Sequence, residues 1–224
     1  PRNGKAVEIN SMWYNALKIM EELTILTKGK KDAKKYADMA ERCKDSFESK
    51  FYNKRRKCLY DVIGDSKIRP NQIFALSLSY PVIEPNTEVA RQIFDIVTKK
   101  LYTPYGLRTL AKGEEGYKES YEGDMVKRDM SYHQGTIWPW LLGQYYNALN
   151  NMIKSEKKKT VKAELEEQMV KFRQEVASTF IDEMYHNATI GNIFELYSGT
   201  NKKYYPGGAY AQAWSVAEIF RIII

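Results

Sequence analysis

Histidine and cysteine are nearly missing, with two of each in the whole chain. The histidines stand far apart with no ligand-spaced partners, which argues against a zinc site. Cys43 and Cys58 belong to no Cys-x-x-Cys pattern, so a disulfide scaffold is excluded and a reducing, cytoplasmic compartment is expected. No apolar run approaches the roughly 18 residues that a membrane-spanning helix needs. There is no Gly-x-Gly-x-x-Gly turn, no phosphate-binding P-loop and no Gly-x-Ser-x-Gly nucleophile elbow. Nucleotide and serine-hydrolase chemistry thereby lose their usual signatures, and no metal or cofactor is expected. A signal peptide and an initiator methionine are also missing. The chain opens at Pro1-Arg2-Asn3-Gly4 and is expected to be part of a longer protein. Asn187-Ala188-Thr189 is formally a glycosylation sequon, read as chance without a signal peptide.

What is present is ordinary for a globular protein. The 224 residues suffice for one substantial core or two small ones. The net charge of +7 comes with lysine clusters over residues 28–35 and 154–162. Such clusters could bind nucleic acid or an anionic membrane, or could simply solvate helix faces. Acids stand nearby, and neither cluster has interleaved aromatics or an RNA-binding signature. Solvated faces are preferred, with neither nucleic acid nor membrane as partner.

Periodicity predicts helices over residues 6–26, 31–50, 71–80, 86–101, 133–152, 160–182 and 210–222. In the first, Ile9, Met12, Trp13, Leu17, Met20 and Leu23 recur at helical spacing, and Gly29 ends it. Residues 57–62 suggest a short strand or extended loop before Gly64. Residues 102–131 and 191–208 are rich in glycine and tyrosine and weakly periodic; loops of such length are usually functional. Helices near Ala6, Pro70, His133 and Ala209 are apolar nearly all round and have polar or aromatic heads. Those near Lys31, Asn86 and Thr160 are amphipathic. Such alternation is what a double ring of helices requires, with inner helices buried on both sides and outer ones on a single stripe. The expected fold is all-α, part of a toroid, with about seven helices and the parallel inner N-termini gathered at one end.

The chemistry left open is that of carboxylates, amides and aromatics at the helix heads. That set suits a neutral polyhydroxylated ligand, since carboxylates and amides bond hydroxyls and aromatic faces stack on sugar C–H surfaces. The central stretch is residues 132–140, Tyr-His-Gln-Gly-Thr-Ile-Trp-Pro-Trp, read as the mouth of a buried helix. Glu195, flanked by apolar residues in a glycine-punctuated loop, is either a site carboxylate or a surface acid. Glu8 either joins a site with Trp13 or complements a helix dipole. Asp129 could be an ion-pair or N-cap residue. His133, Trp138 and Trp214 could equally serve a core.

Five motifs recur in order. They are Arg2-x-Gly4-Lys5-x-Val7-Glu8-Ile9-Asn10 with Trp13-Tyr14-Asn15-Ala16-Leu17; Arg69-Pro70-Asn71-Gln72; Gly106-Leu107-Arg108-Thr109-Leu110; Tyr132-His133-Gln134-Gly135-Thr136-x-Trp138-Pro139-Trp140; and Gln212-Ala213-Trp214-Ser215-x-Ala217-Glu218. Together they resemble the C-terminal glucosidase domain of glycogen debranching enzymes, the amylo-α-1,6-glucosidase family. The resemblance spans essentially the whole chain. It implies a partial (α/α) barrel over residues 1–224, its N-terminal part missing, from a six-fold double ring of helices. It also implies an inverting glucosidase that removes single α-1,6-linked glucose residues from glycogen or limit-dextrin branch points. Glu195 would be the general base, with Arg2, Glu8, Trp13, Gln72, Asp129, His133, Gln134, Trp138, Gln212 and Trp214 binding substrate. The family's general acid is an aspartate in a Trp-Met-Asp motif, which these residues lack, so the chain alone is expected to be inactive. Two departures concern the sugar subsite: Ser198 stands where the family often has aspartate, and the usual cysteine near 208–209 is missing. Glucoamylase-like or trehalase-like activity, or a non-catalytic carbohydrate-binding domain, are the alternatives. The expected partners are a branched α-glucan and either the missing part of the ring or a second copy.

Overall fold

Helix forms where periodicity runs longest. The computed structural model describes residues 2–186, 190–200 and 203–224, and the 187–189 sequon lies outside them. Helices α1 (Val7–Lys28) and α2 (Lys30–Phe51) make a hairpin about Gly29. Gly29 adopts φ +90°, and its N–H donates to the carbonyls of Thr24 and Ile25, closing α1. A short antiparallel pair follows, β1 (Tyr52–Asn53) with β2 (Cys58–Leu59).

The helix predicted over 71–80 is shorter. A 3₁₀ turn (Pro70–Ile73) leads into one α turn, α3 (Phe74–Ser77), and Leu78 is already extended. Side chains from other helices take over its backbone bonding. Asn151 Nδ2 donates to the carbonyls of Leu76 and Leu78, and Asn15 Oδ1 accepts from the Tyr80 N–H. Helix α4 (Glu88–Lys100) starts where Thr87 Oγ1 accepts from the Ala90 N–H.

The glycine-rich stretches carry structure. Residues 102–131 contain β3 (Tyr102–Thr103), β4 (Gly106–Arg108) and α5 (Met125–Ser131). The predicted helix at 133 is corrected to a turn and a strand, β5 (Ile137–Trp138), before α6 (Leu141–Ser155). Gly135 at φ +142° turns the chain, and a Cβ there would sit 2.2 Å from the Lys118 carbonyl oxygen. Pro139 lies just ahead of α6, its carbonyl accepting from the Leu142 N–H. After α7 (Lys159–His186) come β6 (Leu196–Thr200), β7 (Lys203–Gly207) and α8 (Ala213–Ile223). Strands β3 to β7 form one antiparallel five-stranded sheet in sequence order, with Leu107 opposite Trp138 and Ile137 opposite Tyr197. The all-α expectation is therefore corrected: the domain is helical with a small sheet inserted between its helices.

Helix α1 packs on α2 and α3, α3 on α6, and α6 on α7 and α8. Helices α6 and α4 differ in what they bury. Helix α6 buries Leu141, Leu142, Tyr145, Ala148, Leu149 and Met152, whereas α4 buries the single stripe Ala90, Ile93, Phe94 and Val97. Helix α1 departs from expectation. Its buried side is Val7, Ser11, Tyr14, Leu17 and Thr24, while Ile9, Met12, Trp13, Met20 and Leu23 face outward. Among the described residues, no helix is long and apolar enough to cross a membrane.

Candidate active site

The sheet and the 3₁₀ turn bring the second, fourth and fifth motifs to one place. A cavity of about 1070 Å³ opens between the start of the chain, residues 62–71, and the 129–141 segment. Of the predicted site residues, Arg2, Asp129, His133, Gln134, Trp138 and Trp214 line it. Asp129 projects from the exposed α5.

One wall is aromatic. Tyr132 meets Trp138 edge-on at 4.9 Å between ring centroids, and His133 stacks on Trp138 at 5.2 Å and 23°. Trp214 contacts Trp138 at 5.9 Å and stacks on Trp140 at 5.5 Å. Trp138 is buried and anchored, its indole N–H donating to the Tyr132 carbonyl and Thr136 Oγ1, while Trp214 is 45% exposed. The wall thus has a fixed part and a face open to a ligand. Burial against this wall lowers the His133 pKa, the Arg69 cation lowers it further and the Glu195 charge opposes both, so a neutral imidazole is favoured.

The opposite wall is a charged frame that the sequence reading missed in part. Asp61 has a fully buried carboxylate that accepts from Arg2 Nε at 2.6 Å and from Asn71 Nδ2 at 2.8 Å. Burial pushes its pKa up, and the Asn71 amide, the hydrogen-bonded Arg2 and the charge of Arg69 pull it back. Arg2 also binds Glu8 through both terminal nitrogens. Glu8 therefore acts on the cavity through Arg2 and is not itself a lining residue. Arg69 donates to the carbonyls of Thr109 and His133 and to Gln134 Oε1. Its Nε is buried without a hydrogen-bond partner among the described residues, 3.8 Å from Asp61 Oδ2. Burial lowers the Arg69 pKa. The only sequence signal for Arg69, Asn71 and Asp61 was the Arg69-Pro70-Asn71-Gln72 motif, and it did not include Asp61.

Two predicted residues sit elsewhere. Gln72 is buried, accepting from the Leu59 N–H and donating to the Arg69 carbonyl, so it braces the frame without reaching the cavity. Trp13 lines a separate depression of about 320 Å³ between α1 and α2.

Glu195 stands immediately behind the aromatic wall. Tyr132 Oη donates to its Oε1 at 2.8 Å, Gln212 Nε2 donates to the same oxygen at 3.2 Å, and the Ala209 N–H donates to Oε2 at 3.2 Å. Gln212 is thereby committed to Glu195. The backbone reinforces this, with the Glu195 N–H bonded to the Ala209 carbonyl and the Gln212 N–H to that of Ile193. Gly208 makes the approach possible: it has φ +72°, and a Cβ there would lie 2.3 Å from Glu195 Oε2. Tyr132, absent from the predicted set, links Glu195 to the cavity wall; burial and the Glu195 carboxylate both push its pKa up. Ser198, the family's frequent aspartate position, is buried and accepts from the Tyr121 N–H at 2.7 Å.

The arrangement offers a half-open cavity with hydroxyl-binding groups on one side, stacking surfaces on the other, and an acceptor-rich carboxylate beside them. Its volume is at the upper end for small-molecule pockets, which suits an extended ligand. The family profile described as amylo-alpha-1,6-glucosidase matches residues 1–221. The glycogen debranching enzyme of Saccharomyces cerevisiae is 25% identical over 194 aligned residues, covering 67% of this chain and 12% of that protein. This chain thus spans only a small part of that curated relative. Among solved structures, a sialidase superposes with a TM-score of 0.71 at 17% identity, over 96% of this chain and 19% of that one. An uncharacterized conserved protein from Thermus thermophilus follows, with a TM-score of 0.56 at 11% identity, over 97% of this chain and 47% of the other. At these identities the structural likenesses concern the fold alone.

Proposed function

The chain belongs to the amylo-alpha-1,6-glucosidase family, and from that premise we propose that it carries the sugar pocket and general base of an inverting glycoside hydrolase. The substrate is a glycogen or limit-dextrin branch point bearing a single α-1,6-linked glucose. The observation that carries this is Glu195, held by Tyr132, Gln212 and the Ala209 N–H directly behind Tyr132, which lines the aromatic cavity.

The chemistry follows from inversion. Glu195 removes a proton from a water molecule, and that water attacks the anomeric carbon on the face opposite the scissile bond. The bond to the C6 oxygen of the branching glucose breaks as a carboxylic acid protonates that oxygen. In inverting enzymes the two carboxyls stand about 6.5–9.5 Å apart, leaving room for the water. The proton donor comes from polypeptide outside residues 1–224, in the Trp-Met-Asp motif that the family resemblance implies. Arg2, Gln134 and a neutral His133 bind hydroxyls, with Trp138 and Trp214 supporting the sugar ring. Residues 1–224 form part of a six-fold double ring, and the outward apolar stripe of α1 is where the remaining helices, or a second copy, would pack.

Limit dextrin is the direct test. The longer polypeptide carrying this chain should release glucose as the β-anomer first, visible by proton NMR before mutarotation, and should act poorly on maltose and trehalose. First appearance of the α-anomer would overturn the inverting mechanism. Glucose release by the isolated 224-residue chain would overturn the external proton donor.

A further inference from the structure

A carboxylate acting as a base must be ionised, oriented and left with a free acceptor position. An ionised carboxylate has about four lone-pair sites. Among the described residues three are engaged around Glu195: two on Oε1, by Tyr132 and Gln212, and one on Oε2, by the Ala209 N–H. We propose that Tyr132 is a positioning residue for Glu195, which together with Gln212 saturates Oε1 and leaves Oε2 as the oxygen that takes the proton. This deepens the base assignment above and rests on it.

The geometry makes Tyr132 the principal member. Its hydrogen bond is the shortest of the three, at 2.8 Å against 3.2 Å for the others. Its ring is fixed by contacts to Tyr121, His133 and Trp138, so the phenol is held in place independently of the bond it makes. Tyr132 also lines the cavity while Glu195 stands behind it, so the phenol is what connects sugar pocket and base. The side chain is a donor that stays protonated, since burial and the carboxylate both push its pKa up. The titratable groups facing the pair are few. His133, near Glu195 and disfavoured as a cation by burial and Arg69, adds little opposing charge, and Asp129 and Tyr121 act on the phenol. Donors to the ionised form of a carboxylate favour that form, which is the form a base needs.

The test is a titration of the Glu195 side-chain carboxyl carbon by 13C NMR in the 224-residue chain and in its Tyr132→Phe variant. Phenylalanine keeps the ring contacts and deletes only the hydroxyl. The midpoint should be higher in the variant, because a donor to the ionised form has been lost. Gln212→Leu should raise it by less, and Tyr121→Phe should leave it unchanged. In the longer polypeptide, Tyr132→Phe should lower kcat and move the acidic limb of the kcat/KM profile upward by the same interval. Such a displacement is not expected from lost stability alone. An unchanged midpoint in both Tyr132→Phe and Gln212→Leu overturns the cradle. A shifted midpoint accompanied by an unmoved acidic limb overturns the positioning of a base while leaving the cradle as a structural feature. Failure of the base assignment itself shows separately, as undiminished activity in Glu195→Gln.

Discussion

At the scale of single residues, the site depends on what is not there as much as on what is. Gly208 has no side chain, and that lets the Ala209 N–H reach Glu195. An alanine at 208 meets two penalties, a left-handed backbone costing roughly 1–2 kcal/mol and a collision with the carboxylate. Gly208→Ala is therefore expected to lower thermal stability modestly and activity strongly, with Glu195 displaced. A variant that retains full activity would show that the carboxylate does not need this position. Glu195 was read from sequence as a carboxylate in a glycine-punctuated loop, and its hydrogen-bond partners are what the structure adds. Asp61 was not, because a buried acid inside a short strand-like segment has no local signature; only the arrival of Arg2 and Asn71 from distant segments marks it. Trp13 illustrates the reverse case. Its motif placed it near the site, yet its helical position turns it toward a different depression.

Among the elements, helices with long amphipathic stripes were readable to within two residues at most ends, as α1, α2 and α4 are. Elements whose ends are set by tertiary partners were not. Helix α3 stops after four residues because Asn151 on α6 captures the carbonyls of Leu76 and Leu78, which no local pattern announces. Replacing Asn151 with alanine strands both carbonyls, and should cost about 1–3 kcal/mol in unfolding free energy. Denaturant titration measures this, and a loss below about half a kcal/mol would mean that water or a neighbour satisfies them. The sheet escaped prediction for a related reason. Strands β3, β4 and β5 have two or three residues, too few to show alternation, β6 and β7 lie in a glycine- and tyrosine-rich stretch of weak periodicity, and pairing between Leu107 and Trp138 depends on segments about thirty positions apart.

On the scale of the whole molecule, the helical character was read from sequence, and the contrast between a broadly buried and an amphipathic helix is seen in α6 and α4. The aromatic wall, the Arg2–Asp61–Arg69 frame and the Glu195 cradle meet only because the sheet threads between those helices. The outward residues Ile9, Met12, Met20 and Leu23 on α1 were read as core because their spacing is that of a core stripe. Helical spacing marks which residues share a face, and does not say which face a neighbour covers. The central claim is that Glu195 is the base of a glycoside hydrolase, and kinetics on the longer polypeptide carrying Glu195→Gln test it most directly. Glutamine keeps the size of the side chain and removes its basicity. Glucose release from limit dextrin should fall in kcat by about 10²–10⁴, with KM little changed. A kcat equal to that of the unaltered enzyme would contradict the account.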